Sequence, residues 1–224
     1  MQVLTITVSD EAADDSGPAS SSRDRILDAA LNVFGEKGYP GATTKEIALR
    51  AGVNEVTLFR IFHSKMGLTA AVIKERTPRS QLLKELHFDR GLDMRKVLVE
   101  NSSRLLNVLH ANRNLVRMLV LDLPRLEGTP HGDPISSTFI GPLSGYLASH
   151  MEGGALRDID PEVAAELLYS SMRSFFIDHY LFQDKAPDPS FDLKFINAMV
   201  SIYLDGVRKE QDESQPAPGR KRSK

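Results

Sequence analysis

Residues 43–65 read TTKEIALRAGVNEVTLFRIFHSK. Thr43 followed three residues on by Glu46 is a capping-box signature, and it starts a short helix with Ile47 and Ala48 facing inward. Gly52 ends that helix near Ala51, Val53 staples the turn, and Asn54 is a good N-cap for a second helix. There Leu58 and Phe62 share a buried face at i, i+4, while Glu55, Thr57 and Arg60 point elsewhere. Two short helices joined by about three residues that include a glycine have the layout of a helix-turn-helix.

Working outward, Ser21 with Asp24 fits a capping box for a preceding helix over about 22–37, and Ile26, Ala30, Val33 and Phe34 form its buried stripe. Gly38 is its expected C-cap, followed by Tyr39 and a Pro40-Gly41 turn. Ser64 caps a fourth helix that runs to about Arg76, with Leu68 and Val72 on its core side.

The remainder is also helical in pattern. A short piece is expected over 81–88, and Asp93 caps a helix with Leu98, Leu105 and Leu109 on one face. Val116, Leu119, Val120 and Leu123 repeat the helical spacing, with Asn112 or Asn114 as cap. A loop over 128–132 precedes Asp133-Pro134, which starts a helix to about Met151 with a kink or break expected at Gly141-Pro142. Asp160-Pro161-Glu162 is a strong helix start. The segments 163–182 and 190–207 are too apolar for one buried stripe each, so they call for a second surface: a core face plus a self-complementary face between two copies of the chain.

Composition allows this layout. A chain of 224 residues, 41% apolar and 26% charged, is long enough for a small domain and a larger one. With no cysteine, disulfides and thiolate metal sites are excluded. No apolar run approaches the roughly 20 residues that span a bilayer, and the N-terminus lacks a secretory signal, so a cytoplasmic protein is expected. The net charge of −2 is unevenly spread: residues 22–76 hold nine Lys/Arg against six Asp/Glu, and residues 77–207 hold thirteen against seventeen. A mildly basic small domain beside an acidic body is compatible with nucleic-acid binding through a confined face. The expected organisation is an acidic disordered tail over 1–20, a helix-turn-helix domain over 21–77, a helical ligand-binding and dimerisation domain over 78–208, and a basic disordered tail over 209–224.

A major groove about 12 Å wide admits one helix, whose N-terminal half reaches base edges. The second helix of the motif offers Asn54, Glu55, Val56 and Thr57 there, with Phe59, Arg60 and His63 further along. Arg60 suits a guanine or a phosphate, and Val56 a thymine methyl. Thr43, Thr44 and Lys45 at the start of the first helix, and Lys65 as a mobile cation at the start of the fourth, suit phosphates. Asn101, His110, Arg117, Tyr146, Arg173 and His179 are polar residues amid the apolar body, and so candidate ligand contacts. No phosphate loop, dinucleotide glycine fingerprint, nucleophile elbow or zinc-binding histidine pair occurs; no catalytic residue, metal site or cofactor is expected.

Gly38-Tyr39, Thr43-Thr44, Ile47-Ala48, Ala51-Gly52-Val53, Thr57-Leu58-Phe59, Phe62 and Ser64-Lys65 resemble the N-terminal domain of the tetracycline-repressor (TetR) family of bacterial regulators. The resemblance covers 22 to about 76. It implies an all-α dimer that binds palindromic operator DNA through that domain, pairs through its last two helices, and is released by a small ligand. Val56 stands where a small residue is frequent in the family, and Phe59 where a tyrosine hydroxyl often bonds a phosphate. Two other readings remain open at this level: a TetR-like activator, and a helical protein-interaction module that binds no DNA.

Overall fold

The computed structural model describes residues 21–122, 135–183 and 185–208, with backbone alone for 121 and 122. The expected terminal tails, the loop over 128–132 and the Asp133-Pro134 helix start fall outside these residues. What is described is helical, arranged as a small N-terminal head and a larger body.

The head contains α1 (Ser22–Gly41), α2 (Thr44–Arg50), α3 (Glu55–Phe62) and α4 (Lys65–Arg76). Each starts on a side chain that accepts a backbone N–H otherwise left without a partner: Ser21 from Asp24, Thr43 from Glu46, Asn54 from Val56 and Ser64 from Gly67. The two capping boxes are therefore half realised. Asp24 and Glu46 do not return to the cap backbone; their carboxylates are drawn off by Arg76, and by Lys37 and Arg50. α1 is interrupted at Gly38, whose φ of 68° lies in the left-handed region that favours glycine. Gly52, at φ 64°, makes the turn between α2 and α3 in the same way.

The body contains α5 (Arg79–Glu85), α6 (Met94–Ala111), α7 (Arg113–Arg117), α8 (Ser136–Glu152), α9 (Pro161–Phe176) and α10 (Pro189–Val207). α7 continues into a π-helical turn over Met118–Asp122, and α9 into another over Ile177–Phe182. Asp93, Asp160 and Asp188 cap α6, α9 and α10, and Pro161 and Pro189 occupy the first turns where a missing N–H costs nothing.

Three expectations need correction. The short helix runs over 79–85 rather than 81–88, because Pro78 starts it and Asn101 holds the following backbone out of helix: its amide accepts from His87 N–H at 2.8 Å and donates to His87 C=O at 2.7 Å. α8 passes through Gly141-Pro142 without a break. Its packing along α9 outweighs the single backbone bond that proline removes. Asn112 precedes α7 but makes no side-chain cap; its amide donates back to the Val108 carbonyl.

Two apolar cores result. In the head, Val33 and Phe34 of α1, Ile47 of α2, Leu58 and Phe62 of α3 and Leu68 of α4 are buried together. Leu115 and Met118, from α7 and its π extension, are buried in the same cluster. The body core gathers Leu98, Leu105 and Leu109 of α6, Phe139 and Leu143 of α8, Leu168 and Phe176 of α9, and Ile196 and Val200 of α10.

Candidate nucleic-acid interface

The residue spacing of the head fixes which side chains face outward. Leu58 and Phe62 anchor α3 in the core, so Asn54, Val56, Phe59 and Arg60 are left exposed; Val56 is 73% and Phe59 42% accessible. Val56 and Phe59 give this face of α3 apolar surface that suits contact with thymine methyls and sugar edges. Arg60 is exposed and enters no ion pair among the described residues, which leaves its five donors available.

Four other cations in the head are committed to carboxylates. Arg23 pairs with Glu75 at 2.6 Å, and Arg76 with Asp28 at 2.7 Å and Asp24 at 3.0 Å, which fastens α4 to α1. Arg50 bridges Glu36 and Glu46, and Lys37 joins Glu46 at 2.7 Å, which fastens α2 to α1. The Arg50 hydrogen bond holds the Glu36 carboxyl below its ordinary value, and the Lys37 hydrogen bond does the same for Glu46. The exposed head cations without an ion pair among the described residues are Arg25, Lys45, Arg60 and Lys74, and of these Lys45 and Arg60 lie on the two helices of the motif.

Lys65 differs from the expected mobile cation. Its Nζ donates to the Tyr39 carbonyl and sits 4.2 Å from the Tyr39 ring centre. Tyr39 in turn stacks on Phe34. The charge is therefore held at the start of α4, where the helix N-terminus adds to it. Thr44 and Glu55 also behave as a unit: the Thr44 hydroxyl donates to Glu55 Oε1 at 2.6 Å, joining the starts of α2 and α3. Glu55 is half-buried and its second oxygen can only accept. Thr43 serves as a cap, and Lys45, Thr57 and His63 lie on the same helices, Thr57 half-buried and the other two exposed.

In the body the six polar candidates fall into two groups and two singles. Asn101 is saturated by His87 and by the Val97 carbonyl, which leaves it nothing for a ligand. The connector it holds brings Phe88 against Tyr146, ring centres 5.6 Å apart. The Tyr146 hydroxyl is buried without a hydrogen-bond partner among the described residues, and burial raises its pKa. In the second group His110 Nε2 meets Asp192 Oδ2 at 3.0 Å, and the Tyr180 hydroxyl donates to the other Asp192 oxygen. Burial pushes the Tyr180 pKa up to about 12. His179 lies between Phe175 and Phe191 and also touches the Tyr180 ring. Arg117 on α7 and Arg173 on α9 are half-buried and join neither group. Sequence reasoning passed over Asp192 and Tyr180. The signal was present for Asp192, which stands at i, i+4, i+8 and i+12 with Ile196, Val200 and Leu204 on the buried stripe of α10.

A helix-turn-helix head with the outer face of its second helix exposed, carried on a larger all-helical body, is the layout of a DNA-binding transcriptional regulator. Residues 26–72 match the model of the bacterial regulatory proteins of the tetR family. The HTH-type transcriptional regulator YvkB of Bacillus subtilis (strain 168) is 28% identical over 185 residues, which cover 82% of this chain and 95% of that protein. The fatty acid metabolism regulator protein of the same organism is 22% identical over 82% of this chain and 94% of its own length. A transcriptional regulator from Rhodococcus sp. Rha1 shares the fold, with a TM-score of 0.65 at 23% identity over 85% of this chain and all of that one. The head thus carries the N-terminal domain of the tetR family of bacterial regulatory proteins, and over most of its length the chain is similar to HTH-type transcriptional regulators. The reading as an interaction module that binds no DNA accordingly falls away. No single helix among the described residues is long and apolar enough to cross a membrane.

Proposed function

We propose that the protein is a cytoplasmic homodimeric repressor that reads a two-fold symmetric operator and is released by a small effector bound in its body. The observation that carries the dimer is the outer face of α9 and α10. Leu167, Phe195, Ala198, Met199, Ile202 and Tyr203 line an open, mainly apolar groove of about 420 Å³, and Leu167 and Ile202 are 59% and 75% exposed. Two adjacent helices that each bury one stripe and expose another are suited to an isologous four-helix contact. Two heads held that way meet half-sites one helical turn, about 34–36 Å, or a multiple apart.

In this reading the head spans about 21–77 and the effector and dimer region 78–208. Asn54, Glu55, Val56, Thr57, Phe59, Arg60 and His63 present the reading surface. Thr43, Thr44, Lys45 and Lys65 hold the backbone. Among the body candidates Tyr146 is the best supported as an effector contact, since buried hydroxyls are normally paired and its own has no partner among the described residues. The decisive experiment places a charge in the groove: Ile202→Glu should give monomers in sedimentation velocity while helicity is retained. The same variant should bind DNA from the chain's own promoter far more weakly in fluorescence anisotropy. A variant that stays dimeric would remove α9 and α10 from the interface.

A further inference from the structure

α7 belongs to both cores. Leu115 and Met118 are fully buried in the head and Leu119 packs on the same cluster, while Val116 and Val120 face the body. Its head-side contact is close: a Cβ on Gly35 of α1 would lie 2.2 Å from Asn114 Cγ and 2.5 Å from Asn114 Cβ, so the two helices meet at a distance only glycine permits. Its body-side end is anchored by the residue just before Asn114. Arg113 Nη1 donates to the Lys185 carbonyl at 3.1 Å, and Nη2 donates to the Tyr180 carbonyl. Tyr180 lies in the π-helical extension of α9, and its hydroxyl binds Asp192 in the first turn of α10; Asp192 also meets His110 near the end of α6. Both π-helical segments among the described residues, Met118–Asp122 and Ile177–Phe182, adjoin this seam, and such segments are rare and concentrated at functional positions.

We propose that Arg113 is a positioning residue for the DNA-reading head. It fixes α7 to the junction between the last two helices, so that a displacement of α9 and α10 reaches α1 through Asn114 on Gly35. α1 then carries the rest of the head, because α4 and α2 are fastened to it by the Arg76 and Arg50 ion pairs. Coupling of this kind needs a contiguous packed element with a grip at each end, and α7 has both. The consequence for DNA rests on the function proposed above; the seam itself does not.

Hydrogen exchange on the full-length protein without DNA tests the seam. Asp192→Asn disturbs the body end with little change of volume, and Tyr180→Phe is a milder version of the same cut. Each should speed amide exchange over residues 30–37 of α1 by about threefold or more, because local opening there is governed by how firmly α7 is held. In an Arg113→Gln background, itself faster than wild type, neither should add anything. Unchanged exchange in α1 for both single variants, or the same increment with and without Arg113, would overturn the proposal. Gly35→Ala should also be disruptive alone and recovered by Asn114→Ala; failure of that rescue would remove the head-side grip. Anisotropy with Arg60→Ala, run separately, reports whether the head reads DNA at all, so a failed DNA assay and a failed seam are told apart.

Discussion

Arg60 and Lys65 are both cations of the proposed reading surface, yet they differ in freedom. Arg60 has no ion-pair partner among the described residues, whereas Lys65 is held by the carbonyl and ring of Tyr39. If Arg60 reads a base, Arg60→Ala should weaken operator binding by roughly 1–3 kcal/mol and relax sequence preference at one position. Equal losses on operator and random DNA in anisotropy would make it a phosphate contact instead. Lys65→Ala should weaken both DNAs alike and flatten the slope of log affinity against log salt by about 0.9. An unchanged slope would limit Lys65 to bracing Tyr39. Phe59 carries no hydroxyl for a phosphate, and its exposed ring leaves it an apolar contact only.

The turn between α3 and α4 is closely packed. His63 closes α3 at φ 63°, a conformation L side chains seldom adopt, and its N–H bonds the Phe59 carbonyl at 2.8 Å. The chain then folds so sharply that a Cβ on Gly67 would lie 2.2 Å from the Phe62 carbonyl oxygen. Because that neighbour is backbone, no rotamer change relieves it. Gly67→Ala should destabilise the head by about 2 kcal/mol or more and tilt α4 away from α3. Thermal unfolding and DNA affinity should fall together; an unaltered melting temperature would show that the turn has slack.

Across the whole molecule, head and body are joined by a shared helix rather than by a flexible linker. An expected boundary at residue 77 divides the chain but not the core, since Leu115 and Met118 complete the head from nearly forty residues further on. A head cut after Arg76 would lack both side chains. Leu115→Ala should therefore cost about 2–5 kcal/mol. The loss should appear as faster hydrogen exchange in α1 to α4, although the residue lies outside the helix-turn-helix. Exchange confined to α6 and α7 would mean that the head stands alone.

Local chemistry made much of this legible from the chain alone. Caps at Ser21, Thr43, Asn54 and Ser64, the glycines at Gly38 and Gly52, and apolar periodicity are short-range signals, so helix starts, the motif and its outward residues could be read directly. The surplus of apolar residues on α9 and α10 was equally readable, because hydrophobic excess on a second face needs no partner to be counted. Only the tertiary structure decided which polar groups were already spent. Asn101 on His87, Lys65 on Tyr39, Thr44 on Glu55 and His110 on Asp192 are separated by 14, 26, 11 and 82 residues, beyond the reach of any periodicity. The same holds for α7, whose helical spacing was plain while its double allegiance was not: a stripe of Leu and Val states that it must be buried, and only packing states against what.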